Sequence, residues 1–140
     1  MAQCIVLDNG SGVDVTYPVG DTVEQIVATL PPGSVYCLVD QSDLPATRTF
    51  RSAWRCGPQG VVIDMEAAKE VQRDRWREAR VPLLKALDVA YLRALEANDI
   101  ETQTSVAAHK QALRDVTLTD LSAVNTPDEL EAVWPAVLEA

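Results

Sequence analysis

Residues 65–97, MEAAKEVQRDRWREARVPLLKALDVAYLRALEA, form the dominant element of the chain. At 100° per residue, Met65, Ala68, Trp76, Ala79, Leu83, Ala86, Ala90 and Ala94 fall on one stripe, which is helical spacing. Gln72 interrupts the stripe, and its many alanines let another element approach closely. Asp64 precedes the run as its cap. Pro82 lies inside it and predicts a kink or a division in two, because proline removes a hydrogen bond and clashes with the turn before it. At ~1.5 Å per residue the helix is roughly 50 Å long if straight.

Downstream, Asn98-Asp99 makes a turn and a second helix returns over Ile100 to Arg114, with Val106, Ala107, Ala112 and Leu113 inward. Being about half as long at the same rise, it covers only the part after Pro82. There Leu83, Leu84, Leu87, Tyr91, Ala94 and Leu95 form a wide apolar surface. The earlier part needs another partner: the N-terminal lobe, the C-terminal helix or another protein. Val116 to Val124 reads as a loop. Thr126-Pro127-Asp128-Glu129 opens a last helix, with threonine as cap and proline at the first position. Leu130, Val133, Trp134 and Val137 are its apolar face.

Upstream, the composition changes. All six glycines and five of the eight prolines precede residue 64. Cys4 to Leu7 reads as a strand, and Asp8-Asn9-Gly10-Ser11-Gly12 as a turn tolerant of positive φ. Val13, Val15 and Tyr17 alternate as a second strand. Asp21 caps a short helix, with Glu24 in capping-box register and Val23, Ile26, Val27 and Leu30 as its buried face. Val35 to Val39 is a continuous apolar run suited to a central strand. Thr49 to Cys56 and Val61 to Ile63 are two further strands around Gly57-Pro58-Gln59-Gly60. The expected class is α+β. A small, mostly antiparallel sheet with one helix (residues 1–63) precedes a long kinked helix, a helical hairpin and a short C-terminal helix (residues 64–140).

The 140 residues are 47% apolar and 24% charged, which suits a folded chain and argues against disorder. The net charge is −9, against general nucleic-acid binding, which needs a positive field. The charge is uneven: from Lys69 to Lys85 there are six bases and three acids, whereas Asp115 to Ala140 carries six acids and no base. No run approaches the ~18 apolar residues of a membrane span, and the first residues lack a signal-peptide pattern. Cys4, Cys37 and Cys56 are few, scattered and odd in number, which reads as small buried thiols in a reducing cytoplasm.

Chemistry-bearing patterns are sparse. His109 has no nearby Cys, Asp or second His, and reads as an exposed helix histidine. Gly10-Ser11-Gly12 lies between strands with no helix to offer amides to phosphate. Asp40 with Asp43 and Asp128 with Glu129 are carboxylate pairs without companions, and the second favours the positive end of a helix dipole. No catalytic residue, metal ligand or cofactor site emerges. Two patterns suit binding instead. Lys69, Arg73, Arg77 and Arg80 share one face of the long helix beside Trp76, where i,i+3 pairs such as Glu70–Arg73 and Asp74–Arg77 also fit a merely solvated face. Docking of the acidic C-terminal segment is an intermediate use. Arg48, Phe50, Arg51 and Trp54 form an aromatic–arginine cluster. As a strand it puts Phe50, Ser52 and Trp54 on one side and Arg51, Ala53 and Arg55 on the other. Phe50 and Trp54 equally suit the core of a lobe poor in aromatics.

The run Asp43-Leu44-Pro45-Ala46-Thr47-Arg48-Thr49-Phe50-Arg51-Ser52-Ala53-Trp54 resembles a motif of small proteins from tailed bacteriophages and prophages, Asp-Leu-Pro-x-x-Arg-Thr-Phe-Arg-x-Ala-Trp. Ile63-Asp64-Met65 with Ala68 and Glu70, then Arg75, Arg80, Pro82, Leu87 and Asp88, resemble that family's long helix. Gln111 to Thr117, and Thr126-Pro127 with Leu130 and Trp134-Pro135, are similar to its later blocks. The resemblance spans residues 43–135 and offers no catalytic residue. It implies a non-enzymatic protein encoded among tail genes and akin to tail or tail-fibre assembly chaperones and small tail components. The implied partner is another tail or tail-fibre protein, met in the host cytoplasm during assembly or retained in the virion tail. Homo-oligomers stay open, no membrane is involved, and nucleic acid through the basic stripe is the remote alternative.

Overall fold

Three consecutive buried residues, Cys4, Ile5 and Val6, mark the strand with both faces covered. It is β1 (Gln3–Asp8), the middle of a three-stranded antiparallel sheet in the order β2 (Val13–Thr16), β1, β3 (Val35–Asp40). The expected hairpin between the first two strands forms. Asn9 N–H donates to the Gly12 carbonyl at 3.1 Å, and Gly10 turns at φ +86°. The Val35–Val39 run is an edge strand and not the central one: it pairs only with β1, and Val35, Tyr36 and Leu38 are 41–57% exposed. A continuous apolar run marks burial on both faces only where neighbours exist on both sides, and here β1 holds that place.

Residues 2–139 are described by this computed structural model. They divide into two compact units between Val71 and Gln72, inside the long helix, whereas the sequence expectation puts the boundary at its start, between residues 63 and 64.

In the first unit, a two-stranded ribbon of β4 (Trp54–Gly57) and β5 (Gly60–Ile63) packs on the sheet. Cys4, Val6, Val13, Val39 and Trp54 form the core there, flanked by Val15, Cys37, Leu44, Cys56, Val61 and Ile63. On strand alternation, Ile5 faces the opposite side, where α1 (Val23–Val27) lies against β1. The cap of α1 is Thr22, not Asp21. Its hydroxyl accepts from Gln25 N–H, and the Gln25 side chain accepts from Thr22 N–H. A box with Gln at the third position thus forms in place of one with Glu24. Val23, Ile26, Val27 and Leu30 face inward as expected, but only half-buried. The strand expected from Thr49 starts late: Arg51–Ala53 is a 3-10 turn, and β4 begins at Trp54.

The long helix α2 (Met65–Glu96) is continuous through Pro82, so proline does not divide it. Asp64 caps it, its carboxylate accepting from Ala67 N–H at 3.2 Å. Asn98, at φ +54°, closes its C-terminal end in the left-handed conformation that asparagine tolerates. In the second unit α3 (Ile100–Arg114), capped by Asp99, runs back against α2. Val106 and Leu113 are buried, whereas Ala107 and Ala112 are exposed. The expected loop after Arg114 begins with a 3-10 turn, Asp115–Leu118, that buries Val116. Thr126 and Pro127 open α4 (Pro127–Ala132) as expected, but the helix stops before Val133. Pro135 disfavours helical backbone at Trp134, and a separate 3-10 turn follows at Ala136–Glu139. The intended apolar face is therefore split: Leu130 and Leu138 are buried, while Val133, Trp134 and Val137 are half-buried.

Candidate functional site

The 3-10 turn at Arg51–Ala53 changes what the aromatic–arginine cluster presents. Phe50 and Trp54 are fully buried, and so is Ala53, which strand alternation had placed on the opposite side from them. The Arg48 guanidinium lies 5.6 Å from the Trp54 ring centroid and donates to the Tyr17 hydroxyl at 3.1 Å. It covers the indole from the solvent side. Arg55 donates to the carbonyls of Ser52 and Trp54, both at 2.8 Å, and stands 4.0 Å from Asp64. The motif thus holds its own turn together. Of its four candidate binding residues only Arg48 and the half-buried Arg51 reach the surface.

The basic stripe is likewise engaged. Lys69, with its side chain 12% exposed, is paired with Glu66 at 3.6 Å, and Arg77 with Asp74. Arg73 is half-buried and Trp76 fully buried. Arg80 donates to the main-chain carbonyls of Leu113 (3.4 Å) and Arg114 (3.0 Å), which satisfies the C-terminal end of α3. Phe50, Trp54 and Trp76 are therefore corrected from binding candidates to core residues, since a partner reaches none of them in the folded chain.

Gln72, read from the sequence as an interruption, is the one fully buried polar residue among those described. Its amide donates to the Leu130 carbonyl (3.1 Å) and the Val133 carbonyl (2.9 Å), and its oxygen accepts from Arg75 at 2.8 Å. Trp76 Nε1 donates to the same Val133 carbonyl at 3.3 Å. Both donors meet the Val133 carbonyl just past the short α4, and the Leu130 carbonyl, which already accepts from Val133 N–H, gains a second donor in Gln72. Arg75 also lies 5.5 Å from the Trp134 ring centroid. The C-terminal segment is thus gripped through its main-chain carbonyls and an indole, a role that no charge pattern signals.

The shifted titrating groups are caps and thiols. The Asp40 carboxyl is held below the usual carboxylate range by the Ser42 amide and then its hydroxyl. The Asp99 carboxyl is held low by the Thr102 hydroxyl and then its amide. Burial raises the Cys4 thiol, and burial together with the neighbouring Cys56 pushes the Cys37 thiol up to about 12. His109 is half-buried where exposure was expected. Among the described residues no cluster of three or more His, Cys, Asp or Glu could hold a metal ion, and no helix is long and apolar enough to cross a membrane.

An exposed apolar row lies on the long helix. On α2, Val81 and Val89 are each 47% exposed, Leu92 58% and Leu95 50%. Leu95 was expected beneath the return helix and is not covered by it. The return helix takes Ala94 instead: the Gln103 side chain donates to the Ala94 carbonyl at 3.3 Å, and Ala94 is buried. Lys110, paired with Asp88 and 5.7 Å from the Tyr91 ring centroid, continues that seam. At helical spacing Val81, Lys85, Val89, Leu92 and Glu96 lie along one open row, with Leu95 at its border. Compared with protein-family models, with curated proteins and with solved structures, the chain finds no match.

Proposed function

We propose that this chain is a non-enzymatic tail-associated protein of a bacteriophage or prophage that binds another tail or tail-fibre protein during assembly, in the manner of a chaperone. The observation that carries the binding role is the open row on α2, where four aliphatic side chains stand half-exposed along one helix. Apolar side chains grouped on one exposed face favour protein contact, because covering them releases ordered water. The nature of the partner rests on the resemblance of residues 43–135 to small phage tail proteins. The engagement of Arg77 and Arg80 within the fold speaks against the nucleic-acid alternative.

The test is co-expression with the product of the neighbouring tail or fibre gene. Wild-type chain keeps that partner soluble and co-purifies with it, whereas Leu92→Asp with Leu95→Asp folds normally but loses the partner. Unchanged partner solubility and particle assembly after deletion of the gene overturns the proposal. Mass spectrometry of purified particles then separates a chaperone, absent from virions, from a minor structural component of the tail tip or fibre attachment, present in fixed stoichiometry.

A further inference from the structure

Cys37 and Cys56 are 19 residues apart and share no sequence motif, yet their sulfurs touch. Cys37 sits on β3, opposite Val6, on the sheet face that the ribbon covers. Cys56 sits on β4 in that ribbon. The two Sγ atoms are 2.8 Å apart. A disulfide is about 2.05 Å long, so closure needs a movement of under about 1 Å. Cys56 is held on both sides: its Sγ donates to the Val6 carbonyl at 3.2 Å, and its N–H donates to Asp8 Oδ2 at 3.3 Å. Both cysteines are only half-buried, unlike Cys4, which is fully buried. The pair is thus less enclosed than Cys4.

We propose that Cys37 and Cys56 are a redox modification site, a dithiol that closes into an intramolecular disulfide by exchange with a small-molecule disulfide such as oxidised glutathione. Cys37, raised to about 12, stays a thiol at neutral pH, so the first attack falls to Cys56. Its proton goes to solvent, its thiolate forms a mixed disulfide, and one glutathione thiolate leaves. Cys37 then gives up its proton to solvent as its sulfur attacks Cys56 Sγ, and the second glutathione leaves as a thiolate that takes a proton from solvent. Two S–H bonds are lost and one S–S bond is made, while the external disulfide is reduced to two thiols. In a glutathione-rich cytoplasm the pair stays reduced, and it closes in an oxidising medium, tying the edge strand β3 to the ribbon.

The test incubates the intact protein with oxidised glutathione at pH 7 and pH 9, then counts thiols after denaturation and maps peptides by mass spectrometry. The expected result is a fall from three thiols to one, a mass loss of two hydrogens, a peptide linking Cys37 to Cys56, and faster closure at pH 9. Cys4→Ala forms the same link. The oxidised chain melts at a higher temperature than the reduced one, and dithiothreitol reverses the gain. Three thiols persisting at both pH values, a lasting glutathione adduct without the internal link, a link through Cys4, or a disulfide between two chains each overturns the proposal. If Cys4→Ala does not fold, the peptide map of the wild-type chain decides alone.

Discussion

Replacing Gln72 by leucine tests the interaction that fastens the C-terminal segment. Leucine is close to glutamine in volume, so little cavity is created, and the change removes the polar contacts almost alone. The amide's two donations, to the Leu130 carbonyl at 3.1 Å and the Val133 carbonyl at 2.9 Å, are lost in a fully buried site. A typical hydrogen bond contributes about 1 kcal/mol net, and an orphaned buried carbonyl costs about 1–3 kcal/mol. Neither carbonyl is wholly orphaned: Val133 N–H still reaches Leu130 O at 3.1 Å, and Trp76 Nε1 still reaches Val133 O at 3.3 Å. Arg75 loses the glutamine oxygen but is half-buried and can turn to water. The loss should therefore be about 2–3 kcal/mol, a large share of a domain's ~5–15 kcal/mol. Urea unfolding followed by tryptophan fluorescence reads it, since Trp76 and Trp134 both stand at this contact. Gln72→Glu should be worse near neutral pH, because a carboxylate then faces two carbonyl oxygens. It should recover partly in mild acid, where the protonated side chain donates once. A Gln72→Leu loss under about 1 kcal/mol, or a Gln72→Glu chain as stable as wild type at pH 7, would mean that Gln72 does not fasten the C-terminal segment.

Four further outcomes follow from single residues. Asp99 has its carboxyl depressed by Thr102, so its stabilising contribution is complete above the unfolded value near 4 and fades as pH falls through the lower folded one; Asp99→Asn keeps the cap but does not titrate, and acid titration by circular dichroism should show less loss below about pH 4 than wild type. Gly60→Ala meets both a φ of +118° and Val39 Cγ1 at 3.1 Å from the new Cβ, and should cost about 1–3 kcal/mol in urea unfolding. Arg80→Met removes donors to two carbonyls and should cost about 1 kcal/mol at any salt concentration, whereas Lys110→Met removes an ion pair to the largely exposed Asp88 and should cost less as salt rises.

Features set within a few residues are legible without the tertiary structure. Asp64 and Thr126 cap the helices they were expected to cap, because a cap is a contact between residues three apart. The hairpin at Asn9-Gly10, the long helix and its return were legible in the same way, through turn chemistry and periodicity. Where the reading slipped by one residue, at Thr22, the competing cap was also local. Tertiary structure decided the rest, because those outcomes depend on partners distant along the chain. Phe50 and Trp54 alternate as a strand would, yet a 3-10 turn buries them with Ala53, since the core needs all three. The Val35–Val39 run became an edge because Cys4–Leu7 took the centre. Gln72 looked like a flaw in an apolar stripe until carbonyls some 60 positions later met it, 58 and 61 residues along the chain. The candidate site moved for the same reason: basic and aromatic residues that stand out in the sequence were drawn into the fold, while ordinary aliphatics on α2 were left open. Which face of a helix stays uncovered depends on how far the returning helix reaches and which residues it meets, and that is settled only when the elements pack.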